Sequence, residues 1–177
     1  DLSRRPLPDE AIVTSQTPTP DTPLRLDALD RRILAALQED ASVSLEVLAQ
    51  RVNGSKTPVW NRIRRMREAG VIRRQVALLD AEKLGLGACF FVMVRTNRHE
   101  QAWLDDFVAA VRESPEIVSA YRLAGDIDYI LQVRVPDARA YDTFYRRLIS
   151  RVSIHEVTAL LSMEEIKADA PLPIALT

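Results

Sequence analysis

The sequence has 177 residues but only one cysteine, Cys89, and two histidines, His99 and His155. A lone cysteine forbids an internal disulfide, so nothing points to an oxidising compartment. Two histidines and one cysteine far apart in sequence make a poor zinc ligand set, so no metal or other cofactor is expected. Long apolar stretches are also missing. The longest, residues 88–94, has seven residues, against roughly 20 for a membrane-spanning helix. No basic start followed by an apolar stretch reads as a signal peptide. The expected location is the cytoplasm, with no membrane partner. Apolar residues are 47% and charged residues 28% of the chain, the balance of an ordinary globular protein.

The net charge of −1 is unevenly spread. Residues 26–80 carry ten basic and seven acidic groups, while residues 81–177 carry eleven and fourteen. The densest stretch, 51–75, holds Arg51, Lys56, Arg62, Arg64, Arg65, Arg67, Arg73 and Arg74 against the single acid Glu68. A basic segment within a near-neutral chain suggests contact with a polyanion; a solvated helix face is the plainer reading.

Half of the ten prolines fall in residues 1–25, among Thr, Ser and Asp without apolar periodicity. This reads as a disordered or loosely docked arm. Three helical patterns follow. Asp27 is a good N-cap for the first, with Leu29, Ile33, Leu34 and Leu37 on one face. Ser44 caps the second, with Leu45, Leu48, Ala49 and Val52 inward. After the turn at Asn53-Gly54, the third runs from a cap at Ser55 to Ala69, with Pro58 in its first turn, Val59, Ile63 and Met66 inward, and Gly70 as its stop. Two helices joined by so short a turn form the helix-turn-helix pattern. The outward positions of the third helix are Lys56, Trp60, Asn61, Arg62, Arg64 and Arg65. In a major groove, Thr57, Trp60 and Asn61 would read bases, and Arg62, Arg64 and Arg65 would hold phosphate or guanine. Packing of Trp60 against the first helix is the alternative for that residue.

From Val71 the period shortens. Val71, Ile72, Val76, Leu78 and Leu79 suggest a linking strand over 73–84. Two similar units follow: strand 88–94, helix 100–112 and strand 117–123, then strand 129–135, helix 138–150 and strand 154–161. The order βαββαβ is the ferredoxin-like arrangement, so the fold class is α+β. Two helices cover one sheet face. By alternation Phe90 or Phe91 points to the other, which needs a partner, and a homodimer packed sheet to sheet supplies one. Cys89 and the aromatic pairs Trp103/Phe107 and Phe144/Tyr145 read as core, and His155 as decoration at a strand edge.

Several runs resemble the Lrp/AsnC ("feast/famine") transcriptional regulators: LDALDRRIL at 26–34, TPVWNRIRRMREAGVI at 57–72, AGDIDYILQVRVPD at 124–137 and MEEIK at 163–167. The resemblance implies a winged-type helix-turn-helix DNA-binding domain over 26–72 and a RAM effector-sensing and oligomerisation domain over 85–167, with 168–177 a tail. It implies dimers that assemble to tetramers or octamers on double-stranded DNA. It also implies a small effector, an amino acid or related metabolite, held between RAM domains of neighbouring dimers. Carried onto this chain, the recognition helix is 56–69 with Ser55 as cap, and Arg62 and Arg65 match the family's basic positions. The effector turn is Gly125, Asp126, Asp128 and Tyr129, while Leu123, Ala138, Leu161 and Ser162 match positions that shape the pocket. Asp carboxylates suit a ligand ammonium and backbone N–H groups its carboxylate; local hydrogen bonding within the turn is the other use of Asp126 and Asp128. The chain departs from the family with Asn53-Gly54-Ser55 in place of Gly-Leu-Ser before the recognition helix. It also has Arg151-Val152-Ser153-Ile154 in place of Leu-Pro-Gly-Val, and Val157 and Ala159 in the last strand where relatives often carry Thr.

The expected function is a sequence-specific DNA-binding regulator modulated by an effector. Two alternatives stand beside it. One is a sensing adaptor without DNA binding, suggested by the Asn53-Gly54 turn. The other is an enzyme resembling siroheme decarboxylase, which would require well-placed His and Arg around a tetrapyrrole. The basic helix and the scarcity of histidine favour the regulator, so no enzymatic activity is expected.

Overall fold

A computed structural model describes residues 24–98 and 100–174. The arm read over 1–25 thus lies almost wholly outside the described residues, as does His99. The chain divides into two compact units: one contains residues up to Gln75 together with Pro171 onward, and the other spans Val76–Ala170. No helix among the described residues is long and apolar enough to cross a membrane.

The first unit contains helices α1 (Ala28–Glu39), α2 (Leu45–Arg51) and α3 (Lys56–Glu68). Asp27 begins α1 with a capping box. Its Oδ1 accepts from the N–H groups of Leu29 and Asp30, both at 2.9 Å, and Asp30 Oδ2 accepts from Asp27 N–H at 3.1 Å. A cap of this kind stabilises by about 1 kcal/mol. Ser44 Oγ accepts from Val47 N–H to start α2. Ser55 occupies the N-cap position of α3, but its hydroxyl makes no capping bond. The apolar stripes converge as their spacing predicts: Ile33, Leu34, Leu48, Ala49, Val52, Val59, Ile63 and Met66 are buried together. Ile174 and Leu24 pack against the same core. Residues 171–174 are therefore part of this unit. Leu172 N–H donates to Gln38 Oε1 at 2.7 Å, and Gln38 Nε2 returns a bond to the Leu172 carbonyl.

The second unit is a four-stranded antiparallel sheet in the order β2-β3-β1-β4, from β1 (Ala88–Arg95), β2 (Ile117–Arg122), β3 (Tyr129–Val135) and β4 (Glu156–Leu161). Helices α4 (Gln101–Arg112) and α5 (Ala138–Arg151) carry the connections. Period-two alternation decides the faces. Phe90, Val92, Val94, Tyr129, Leu131, Val133 and Val135 are buried with Trp103, Phe107, Phe144 and Leu148 of the helices. Trp103 Nε1 donates to the Ser153 carbonyl at 2.7 Å, which satisfies the one polar atom the ring takes inside. Phe90 stacks on Tyr141 with centroids 4.2 Å apart. Phe91, its neighbour, lies on the opposite face, across from Leu160 on one side and Gln132 on the other.

The linking strand expected over 73–84 does not form: residues 73–80 make no ladder and 81–85 are turn. Apolar alternation reports which faces of an extended chain are apolar, but a strand also needs a neighbour for its N–H and C=O groups. Here Val76, Leu78 and Leu79 are left exposed.

Candidate nucleic-acid interface and effector site

Helix α3 is held at both ends. At its start, Asn53 adopts a φ of +54°, and Gly54 N–H donates to the Ala49 carbonyl at 2.8 Å. A Cβ placed on Gly54 would stand 3.0 Å from Val59 Cγ2 and 3.6 Å from Val52 Cγ2. The two valines therefore fill the turn where the resemblance places a Leu. At its end, Gly70 takes a φ of +71°, and Ile72 N–H reaches the Met66 carbonyl at 3.1 Å.

The third attachment was not foreseen. Arg62 Nη1 donates to Asp27 Oδ2 at 2.6 Å and to Asp30 Oδ1 at 2.8 Å, and Arg65 Nη2 donates to Asp30 Oδ2 at 2.6 Å. The Asp30 side chain is fully buried. Both guanidinium groups, expected to face phosphate or guanine, turn back to α1 here. A buried carboxylate needs paired donors, and the two arginines supply them. Backbone N–H from Asp30 and then the Arg62 guanidinium hold the Asp27 carboxyl at about 2, below its ordinary 3.8.

What α3 presents outward is narrower than the sequence suggested. Lys56, Thr57, Trp60, Asn61 and Arg64 are exposed, and Arg65 is exposed while bound to Asp30. Trp60 is 49% exposed, which decides against an anchor buried on the first helix. The Arg64 guanidinium lies 4.8 Å from the centroid of the Trp60 ring, a cation–π contact that orders the arginine. Arg64 also approaches Glu68 at 3.7 Å, and Lys56 pairs with Glu46 at 3.0 Å. Both are exposed pairs that a stronger anion can displace at little cost.

In the second unit the expected effector residues separate into two groups. Leu123, Gly125, Asp126, Asp128 and Tyr129 cluster at the β2–β3 turn, beside the end of β1, where Asp128 N–H donates to the Val94 carbonyl. Ala138, Leu161 and Ser162 sit at the opposite end, where Ser162 N–H donates to the Cys89 carbonyl. The antiparallel register pairs Val94 with Tyr129 and Ala88 with Val135, so β1 separates the two groups by its length. A single copy does not bring them together. Asp128 is committed to the turn, its Oδ2 accepting from Thr96 N–H at 2.8 Å. Asp126 gives its carbonyl to Arg95 Nε at 2.7 Å, and its carboxylate has no partner among the described residues. The Tyr129 ring is buried in the core, with its centroid 4.6 Å from that of Phe107.

The open sheet face carries a cavity of about 1110 Å³, and of the expected effector residues Ser162 lines it. Phe91, Val118, Tyr121, Gln132 and Arg134 are among its lining residues.

Two family models match the chain: "AsnC-type helix-turn-helix domain" over residues 26–67 and "Lrp/AsnC ligand binding domain" over 89–172. The DNA-binding transcriptional activator DecR of Escherichia coli is 44% identical over 150 residues, covering 84% of this chain and 99% of its own. The crystal structure of an AsnC family transcriptional regulator from Agrobacterium tumefaciens is 48% identical, covers 84% of this chain and 97% of its own, and superposes with a TM-score of 0.81. A transcriptional regulator of Neisseria meningitidis, solved as a complex with L-Met, is 33% identical, covers 85% of this chain and 97% of its own, and also has a TM-score of 0.81.

Proposed function

This chain belongs to the Lrp/AsnC family of transcriptional regulators, and from that premise we propose that it binds DNA in a sequence-specific way under the control of an amino acid. The observation that carries the DNA-binding half is the split use of α3. Arg62 and Arg65 pin the helix to α1, and the pinned helix turns Thr57, Trp60, Asn61 and Arg64 to solvent. A groove-reading helix needs fixed orientation before it needs charge, since a base contact depends on geometry. Arg64, ordered on the Trp60 ring, is placed to donate two bonds to a guanine edge. Asn61 suits adenine, and the indole of Trp60 suits a thymine methyl. Lys56, within the first turn, supplies a phosphate contact.

The effector half rests on the turn at Asp126, with its free carboxylate, and on the Neisseria relative that carries L-Met. An amino acid's ammonium would meet Asp126. Leu123 on one copy and Ala138, Leu161 and Ser162 on another would complete the pocket, because the two groups lie at opposite ends of one sheet. Such a site requires assembly. A homodimer covers the open sheet faces, and further association of dimers joins the pocket halves. Occupancy then shifts the assembly by as much as the effector's affinities for the two states differ. The protein would act where the DNA is, in the cytoplasm.

The test is binding of the wild type and of Trp60→Ala/Arg64→Ala to a duplex carrying its selected site and to a random duplex of equal length. The double variant loses at least tenfold on the selected duplex, since one bidentate base contact is worth about 1–3 kcal/mol. It loses little on the random one. Equal losses on both would assign the pair to the backbone instead.

A further inference from the structure

Beyond the recognition helix, the cations of the first unit differ in what they hold. On α3, Lys56 is paired with Glu46, Arg64 with Glu68, and Arg62 and Arg65 with Asp27 and Asp30. Arg73 and Arg74, just past the helix, are exposed and have neither an ion pair nor a side-chain hydrogen bond among the described residues. Yet the segment that carries them is held on both sides, by the backbone before them and by a side chain after them. Before them, Ile72 packs against the helical core and its N–H is bound to the Met66 carbonyl. After them, Gln75 Oε1 accepts from Arg67 Nη2 of the last helical turn at 2.8 Å. Two unpaired guanidinium groups are thus presented side by side on a short segment tied to the C-terminal end of α3.

We infer that Arg73 and Arg74 form a second DNA contact, a clamp on the phosphodiester backbone at the wall of the groove that α3 enters. The inference rests on the DNA-binding reading above. A helix of thirteen residues is about 20 Å long, longer than the roughly 12 Å width of a major groove. When its first turns are at the base edges, its end and the chain leaving it reach the strand that borders the groove. Duplex DNA carries one negative charge per roughly 1.7 Å of axis, so two unpaired arginines at that wall meet phosphate oxygens. Phosphate contacts of this kind position the protein and carry no sequence information. The clamp therefore adds affinity equally to all sequences, while Trp60 and Arg64 discriminate among them.

The experiment compares the full chain with Arg73→Gln/Arg74→Gln and Arg73→Lys/Arg74→Lys. Binding is measured against salt concentration on the selected duplex and on a random duplex, with circular dichroism of each variant. The Gln pair makes the slope of log affinity against log salt shallower by about 1.8 per protomer, about 0.9 for each lost contact, on both duplexes. The ratio between duplexes stays unchanged, and the Lys pair restores the slope. Should the Gln pair fold poorly, each single Gln variant shows a change of about 0.9. An unchanged slope in variants of a wild type that binds DNA overturns the clamp and leaves the DNA-binding reading standing. A loss confined to the selected duplex, or no restoration by Lys, overturns the backbone assignment. A wild type that binds neither duplex overturns both.

Discussion

Asp30 links the folding of the first unit to the direction its recognition helix faces. Its carboxylate is fully buried and accepts charge-assisted bonds from Arg62 at 2.8 Å and Arg65 at 2.6 Å. Replacing it by Ala leaves Arg65 without its acceptor and Arg62 with Asp27 alone. A hydrogen bond to a charged group is worth about 1.5–3 kcal/mol. The expected cost of Asp30→Ala is about 3 kcal/mol in urea unfolding of the first unit, and a loss below 1 kcal/mol would show that the pairing contributes only orientation. Asp27 adds a pH dependence. Its folded value, about 2, lies below the ordinary 3.8, so its share of stability is present above about pH 4 and is lost as pH falls through 2. In Asp27→Asn the acid unfolding of the first unit should depend less on pH across that window. These roles were partly legible. The capping role of Asp27 follows from its place before an apolar-periodic run. The ion pairs were hidden because a basic helix reads first as a polyanion surface. The spacing held a usable signal: Asp27 and Asp30 are three apart, and so are Arg62 and Arg65, which gives two short faces of opposite charge on helices that must pack together.

Among the elements, those that bury a face were the most readable. β3 alternates so regularly that its bounds follow from the sequence, and the same alternation places Tyr129 with Leu131 and Val133 in the core. The segment at 73–84 misled, since its alternation is real but it has no ladder partner among the described residues. The turn before α3 was legible as a turn and not in its packing. Because Gly54 lies 3.0 Å from Val59 Cγ2 at the position of a would-be Cβ, Gly54→Ala should destabilise the first unit by about 1–3 kcal/mol through overpacking. Paired with Val59→Ala it should cost less than the sum of the two single changes, as expected for sites that share a space. Additive costs in thermal unfolding would mean that the turn relaxes away from Val59.

At the scale of the whole molecule, the sheet has one finished face and one open one. Tyr121 is 61% and Leu160 53% exposed there, and Phe91 lies across from Leu160 in the register. Sedimentation should therefore find a species of at least twice the 19.9 kDa chain mass. Phe91→Glu, which sets a charge into that face, should shift it toward monomer and weaken DNA binding with it. A monomeric wild type would remove the homodimer from the account. The separation of the effector residues into two ends of one sheet was not legible from sequence, because a motif gives the order of residues and not the distance between them. The measurement that tests the central claim most directly is selection of bound duplexes from a random pool by the full chain, with and without a mixture of the twenty amino acids. One site with approximate two-fold symmetry should be recovered, and its recovery should change when the mixture is present. Recovery of no sequence above the starting pool, in either condition, would contradict that claim.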